Sequence, residues 1–297
     1  MNQLRTRFIL AMLVAVAVLV AMTGSGHAQV FESYDNFNGS PLINPELWSG
    51  SSVEGNFSQP AAEWVRRIDG GQLHLALVSY GNNTSDTGLA GSRQGLSMRD
   101  LGTIGGSRFI IGMKAGLTVL DAELQDCPTN LDTTSARARA QLIGAFFNDN
   151  TGPGAGDATG DILVQLQLQK DPDANRITAT LLRCAPVPAS QSCTQASTFA
   201  MPGNPAIFNT SWSVNTPVAL KLVWQKANHR FKVTATSGGV PETQFIDYTG
   251  VLDDTTSLRG FDFKQVRVNN TVDNCLNVRK RGHMDVLIDN VKVMRNP

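Results

Sequence analysis

Polar side chains alternate with apolar ones along a stretch in the middle of the chain. Arg137, Arg139 and Gln141 occupy every second position, and small or apolar residues fill the positions between them. Side chains at alternate positions of a strand share one face. Guanidinium and carboxamide groups on one face can bond sugar hydroxyls, and a guanidinium can also clamp a carboxylate with two parallel bonds. The spacing therefore predicts a candidate carbohydrate site on a sheet.

Two following stretches extend this polar face if the three segments pair as antiparallel neighbours. The expected register sets Arg139 beside Gln169 and Gln141 beside Gln167, with an apolar end that contains Phe147. The side chains with an expected ligand role are Arg137, Arg139, Gln141, Gln165, Gln167 and Thr178. A half-exposed sheet face that binds nothing also carries Thr and Gln. Both interpretations remain open from the sequence.

Paired carboxylates suited to glycoside hydrolysis are scarce. The six glutamates are all more than five residues apart. Asp121 and Glu123 share a strand face, and a retaining hydrolase requires two carboxyl groups about 5 Å apart. These two acids lie just before Cys127 at an expected strand end, where acids are usually solvated. No catalytic residue is predicted.

Hard oxygen ligands crowd the glycine-rich segment 148–160 and its border. Asp149, Asp157 and Asp161 predict a calcium site, because this ion prefers several oxygen ligands on a flexible backbone. Long loops also carry such residues without binding a metal, and the spacing is not that of an EF-hand. The histidines are too scattered to predict a transition-metal site.

The four tryptophans divide into two expected roles. Trp64 and Trp212 fall in segments without clear alternation, so they are candidates for stacking on sugar rings. Trp48 and Trp224 are expected in the core.

The elements that must position these side chains are strands. Period-two runs separated by Gly, Pro, Asn and Asp recur after residue 28, and no helical periodicity of useful length appears. This pattern predicts an all-β fold, a two-sheet sandwich or a barrel, in one domain that covers residues 29–297. The expected strands are 71–78, 108–120, 136–147, 162–169, 176–182, 218–225, 230–236, 260–268 and 285–294.

The first 28 residues have the three-part layout of a secretory signal peptide. Arg5 and Arg7 precede the apolar run 8–22, and small residues precede an expected cut after Ala28. The run is shorter than the ~20 residues that span a bilayer. The protein is therefore expected to be secreted or periplasmic, without a membrane span after cleavage. Its 25 basic and 25 acidic residues give no field that would gather nucleic acid.

The four cysteines are expected to form disulfides. An even number of cysteines in an exported chain favours disulfides, and three connectivities are possible. We prefer Cys184–Cys193, because the segment between them is rich in turn residues, and this leaves Cys127–Cys275.

Both ends of the mature chain resemble the concanavalin A-like lectin and glucanase superfamily, including laminin-G-like domains. "YDNFNGSPLINPELWSG" (34–50) is similar to their aromatic-rich first strand and loop, "GGQLHLAL" (70–77) to the next strand, and "LIDNVKV" (287–293) to the closing strand. The middle of the chain is similar to exported bacterial proteins of this fold. The resemblance implies a two-sheet antiparallel jelly-roll β-sandwich with glycan binding on the concave side or its rim. The E-x-D-x-x-E motif of the glucanase branch is absent.

Taken together, these patterns predict a secreted, non-catalytic, lectin-like protein that binds a glycan or polysaccharide. One alternative is a glycoside hydrolase or lyase with an atypical site. A second is a structural or adhesive envelope protein. The scarcity of glutamate separates the first interpretation from a hydrolase, although a lyase that uses Arg, His and Tyr would escape that test.

Overall fold

The computed structural model describes residues 30–50, 53–57, 62–102, 108–130, 136–150, 157–185, 196–199, 201, 203–259 and 263–296. The predicted leader, residues 1–28, lies outside them. The strands are β1 (Glu32–Asp35), β2 (Trp48–Ser49), β3 (Val53–Phe57), β4 (Ala62–Asp69), β5 (Gln72–Tyr80), β6 (Leu89–Met98), β7 (Ile110–Leu124), β8 (Arg137–Asn148), β9 (Asp161–Lys170), β10 (Asn175–Cys184), β11 (Ala196–Thr198), β12 (Ala206–Ile207), β13 (Val218–Gln225), β14 (Arg230–Ser237), β15 (Val240–Asp247), β16 (Lys264–Asp273) and β17 (Arg281–Arg295).

Two antiparallel sheets contain all of these strands. The first sheet has the order β15-β14-β13-β7-β17-β5-β4-β3, with β1 beside β17. The second has the order β11-β10-β9-β8-β16-β6-β2, with β12 beside β10. Residues Phe31–Asn296 form one compact unit. Within the part of the chain that the structure describes, no helix has the length and apolar character to cross a membrane.

The order of the strands confirms the predicted jelly-roll sandwich. Successive strands β5, β6, β7 and β8 alternate between the two sheets. In the first sheet β17 lies between β5 and β7, and in the second sheet β16 lies between β6 and β8. This interleaving wraps two layers of strands around one core.

The core lies between the inward faces of the two sheets. Period-two alternation directs every second side chain into this core, as in β9, where Val164, Leu166 and Leu168 are fully buried. Burial of each such side chain contributes about 1.5–3 kcal/mol through the hydrophobic effect. The same alternation holds in β13, where Leu220 and Leu222 are fully buried.

A β-bulge changes the expected end of β8. The register between β8 and β9 shifts between Ala145 and Phe147, because one extra residue is inserted in β8. Phe146 and Phe147 therefore both enter the core, where the ring of Phe147 stacks on Trp224 with a centroid distance of 5.4 Å. The prediction that Phe147 belongs to the outward face is wrong. Ala145 and Leu163 stay in a small apolar cluster on that face.

The Cys127–Cys275 disulfide is confirmed, with a Cα–Cα distance of 5.7 Å. Cys184 is also disulfide-bonded. Cys193, its expected partner, lies outside the described residues.

Candidate functional site

The polar face predicted from the alternation exists on the outward side of the second sheet. Arg139 pairs with Gln169 and Gln141 with Gln167 across β8 and β9, as expected. The third strand, β10, continues the row because Thr178 pairs with Gln167. The hairpin turn between β9 and β10 sets this register, and alternation then places all of these side chains on one side.

Four glutamines on this face form what we call the amide ladder: Gln141, Gln165, Gln167 and Gln169. The Gln141 Nε2 group donates to Gln165 Oε1 (3.1 Å) and Gln167 Oε1 (2.5 Å). The Gln167 Nε2 group donates to Gln169 Oε1 (2.8 Å) and Thr178 Oγ1 (2.9 Å). Both hydrogens of each of these two amides are thus used, so their orientations are held by neighbouring side chains.

The amide ladder joins a cation to an anion. The Arg267 Nε group donates to Gln141 Oε1 at 2.7 Å, and Gln169 Nε2 donates to Asp171 Oδ1 at 2.6 Å. Arg176 forms an ion pair with the same aspartate at 3.0 Å. The successive bonds point in one direction, and aligned hydrogen bonds of this kind polarise and strengthen one another.

Sequence reasoning missed the part of the face that β6 and β16 contribute. Asn269 lies between Arg93 and Arg139 in one cross-strand row. The Arg139 Nη2 group donates to Asn269 Oδ1 at 2.7 Å. The alternation of Arg267 and Asn269 with buried valines was a usable signal in β16, whereas two glycines interrupt the pattern in β6.

A groove of about 580 Å³ lies over this face. Its lining includes Gln165, Gln169, Thr178, Thr180, Arg137 and Arg176. Gln141 and Gln167 are at most 1% exposed and support the residues of the groove from below. Three of the predicted ligand residues thus line the groove, and Arg139 lies beside it at a half-buried position.

One wall of the groove is formed by β12, which is held in place by Glu242. Ile207 of β12 pairs with Thr178 and lines the groove. The Glu242 carboxylate accepts hydrogen bonds from the backbone N–H groups of Asn209 and Thr210, both at 2.8 Å. Burial alone would raise the pKa of Glu242, but these donors outweigh it and lower the pKa to about 2.

Glu242→Gln is expected to remove an acid-sensitive part of the stability. A carboxyl group with a lowered folded pKa stabilises the fold above its unfolded pKa, and this contribution disappears as the pH falls from about 4.5 through about 2. The variant should therefore be less stable than the native protein at pH 7, with a difference that shrinks at pH 2.5. Urea unfolding at both pH values measures it, with the exposed Glu46→Gln as the control. A difference that stays constant with pH would contradict the assignment.

Neither tryptophan proposed for sugar stacking is available on this face. Trp212 is only 2% exposed, and its indole Nε1 donates to the carbonyl oxygen of Gln169 at 3.1 Å. The stacking prediction for Trp212 is wrong because the ring supports the sheet from the core side. Trp64 lies in β4 of the first sheet, rather than in an irregular segment, and packs against the core with Arg66 over its ring. Trp48 and Trp224 are buried, as expected.

The three aspartates predicted to bind calcium do not form a common ligand set. The Asp149 carboxylate forms an ion pair with Arg183 at 3.0 Å, and Asp161 Oδ1 accepts from Asn148 Nδ2 at 2.9 Å. Asp157 Oδ1 accepts from a backbone N–H group of its own loop. Among the described residues, these three carboxylates do not form a group close enough together to hold one ion. Each is used by a local hydrogen bond or ion pair.

The acids considered for hydrolysis lie on the first sheet, away from the groove. The Glu123 carboxylate binds Arg281, and this bond holds the pKa of Glu123 below its usual range. Asp121 lies 3.2 Å from His283 Nδ1. Both carboxylates therefore bridge β7 to β17.

The topology defines the chain as a jelly-roll β-sandwich whose second sheet carries a polar groove. No protein-family model matches the chain, and no curated protein matches it. Similar solved structures include an endo-1,3-β-glucanase from Streptomyces sioyaensis, with 14% identity, 91% of this chain and 97% of that chain covered, and a TM-score of 0.39. Another is the winged bean acidic lectin complexed with methyl-α-D-galactose, with 9% identity, 86% and 99% covered, and a TM-score of 0.37.

Proposed function

We propose that this chain is an exported, non-catalytic carbohydrate-binding protein that holds a glycan in the groove over the amide ladder. One observation carries the proposal: the groove is lined by amide, hydroxyl and guanidinium groups, and buried hydrogen bonds already fix several of them. Sugar hydroxyls both donate and accept, so a mixed array of this kind suits them. Because the array is fixed before binding, little conformational entropy is lost when the ligand enters.

Two of the acids that line the groove have structural bonds, which supports binding without cleavage. The acids of the lining are all aspartates: Asp126, Asp171, Asp173 and Asp273. Asp171 is engaged by Arg176 and the amide ladder, and Asp273 Oδ2 accepts from the backbone N–H group of Cys127 at 3.1 Å. These bonds give both carboxylates a structural role.

Export is part of the proposal. The Cys127–Cys275 disulfide is the kind of bond that persists in oxidising compartments, and the first 28 residues have the composition of a cleavable leader. A periplasmic or secreted protein of this kind would meet polysaccharides directly.

A glycan array with residues 29–297 tests the proposal, followed by an assay of the bound glycans for cleavage. We expect binding without cleavage, and Gln165→Ala should weaken it at least tenfold, because this side chain lines the groove. Gln72→Ala in the first sheet is the matched control and should leave the affinity unchanged. Cleavage would indicate a hydrolase or lyase. An array without any bound glycan would favour a structural or adhesive role and would reject the proposal.

A further inference from the structure

Four arginines gather on three neighbouring strands of the same sheet face. Arg93 lies on β6, Arg267 on β16, and Arg137 and Arg139 on β8. We call these residues the arginine cluster. Register places Arg93 and Arg139 on either side of one residue of β16, and Arg267 lies one row further along that strand.

The arginine cluster has no acidic partner within the part of the chain that the structure describes. Arg139 donates to the neutral oxygens of Asn269 and Thr271, and Arg267 donates to the neutral oxygen of Gln141. None of the salt bridges between described residues includes a member of the cluster. Arg267 is buried, Arg137 and Arg139 are half-buried, and Arg93 is exposed. A buried arginine is ordinarily paired with a carboxylate, so the environment of Arg267 is unusual.

Two donors of the cluster are also buried without a hydrogen-bond partner among the described residues. They are the Nε atoms of Arg137 and Arg139. A buried donor without an acceptor costs about 1–3 kcal/mol. An acceptor that arrives with a ligand would remove this cost, which favours binding.

The electrostatic environment points the same way. Burial, and then the charge of Arg137, lowers the pKa of Arg139 to about 10. Burial, and then the charges of Arg93 and Arg139, lowers the pKa of Arg267 to about 9. Asp171 acts in the opposite direction on Arg139, but it is already bound to Arg176. The cluster is therefore short of negative charge.

Among the described residues, the other acids that line the groove do not pair with the arginine cluster. Asp273 accepts a hydrogen bond from the backbone N–H group of Cys127, and its charge does not contribute to the pKa shifts of Arg139 and Arg267. Asp126 and Asp173 line the groove at exposed positions, where solvent and salt screen their charges.

We infer that the arginine cluster receives the anionic group of an acidic carbohydrate, a carboxylate or a sulfate ester. The inference rests on the proposed function and narrows its ligand to acidic glycans. Arg137 belongs to both the cluster and the lining of the groove, so a sugar chain in the groove reaches the cluster directly. Planar guanidinium groups bind carboxylate and sulfate oxygens with two parallel charge-assisted bonds.

Three oligosaccharides of equal length test the inference by calorimetric titration: a β-1,4-linked tetramer of glucuronic acid, cellotetraose, and a sulfated cellotetraose. The first two differ only in a carboxylate or a hydroxymethyl group on each ring. We expect at least one acidic tetramer to bind tenfold or more tightly than cellotetraose, and this preference should weaken as salt is raised. The acidic tetramer that binds with the higher affinity identifies the anion that the arginine cluster prefers.

Charge-removing variants locate the effect. Arg137→Gln and Arg139→Gln should each reduce the affinity for the acidic tetramer about tenfold or more, whereas Lys114→Gln on the first sheet should leave it unchanged. Near-UV circular dichroism checks that each variant is folded, and the half-buried Arg139 provides a less disruptive test than the fully packed Arg267.

The outcomes separate this inference from the proposed function. Cellotetraose could bind as tightly as the acidic tetramers or more tightly, and lose this binding in Gln165→Ala. That result would overturn the acidic ligand and retain the carbohydrate site. If Lys114→Gln weakens the binding of the acidic tetramer as much as Arg139→Gln does, the assignment of the anion to the arginine cluster is also overturned. If no tetramer binds and the glycan array is also empty, both the inference and the proposed function are rejected.

Discussion

Replacing Gln141 with leucine is expected to lower the free energy of unfolding by about 4 kcal/mol, because buried groups that lose their partner cost about 1–3 kcal/mol each. Gln141 is fully buried and is the hub of the amide ladder. Its loss leaves Arg267 Nε without its acceptor, and Gln165 Oε1 and Gln167 Oε1 without this donor. Leucine has a similar volume, so the effect comes mainly from lost hydrogen bonds and little from a cavity.

Gln265→Leu is the matched control for this variant. Gln265 lies at a half-buried position on β16, and within the described part of the chain its side chain forms one hydrogen bond, to Ser97 Oγ at 2.8 Å. Its loss should cost about 1 kcal/mol, the usual net value of one hydrogen bond. Urea unfolding measures both variants through the midpoint, with the slope unchanged. The ladder is not a stabilising network if Gln141→Leu shifts the midpoint no further than its control does.

Removing the Cys127–Cys275 disulfide is expected to cost about 5 kcal/mol in the chain-entropy model. The bond joins residues separated by 148 positions, so its loss gives the unfolded chain a large increase in freedom. The double variant Cys127→Ser/Cys275→Ser should therefore unfold at much lower urea. Its m-value should rise, because the unfolded chain without the bond is more expanded.

The redox state supplies the control for this variant. Adding a reductant under unfolding conditions should lower the stability of the native protein towards that of the double variant, while the double variant itself should respond less. If the free energy of unfolding of the double variant is less than about 1 kcal/mol below that of the native protein, the disulfide does not limit the conformational freedom of the unfolded chain.

The register of β8, β9 and β10 could be predicted because two independent signals agree. Alternation assigns each residue to a face, and the turn between β9 and β10 leaves little freedom in how the strands pair. The pairing of Arg139 with Gln169 and of Gln141 with Gln167 followed from these signals alone. The bulge at Phe146 could not be predicted in this way. Two consecutive phenylalanines are apolar on either face, so the alternation does not indicate which of them points into the core.

The rest of the site depends on contacts between distant segments. Arg267 and Gln141 are separated by 126 positions, and no local pattern indicates that their strands are neighbours. In β6 the pattern is hidden by Gly95, where a Cβ atom would come within 2.4 Å of Arg267 Cβ. The glycine is needed for the close approach of β16, so the residue that obscures the strand is also part of its packing. The prediction for Trp212 failed for a related reason. Its burial depends on contact with β9, which is distant in the sequence.

The position of β16 and β17 has a consequence for the order in which the chain can fold. These are the final strands in the sequence, yet each lies at the centre of its sheet. Until they are present, β6 cannot be joined to β8, nor β5 to β7, so each sheet consists of two separate parts with open edges. The dominant contacts are therefore of high sequence separation, and proteins of this kind fold slowly and expose strand edges while they do so. A ribosome-bound chain that ends before Lys264 therefore exposes the edges of β5, β6, β7 and β8.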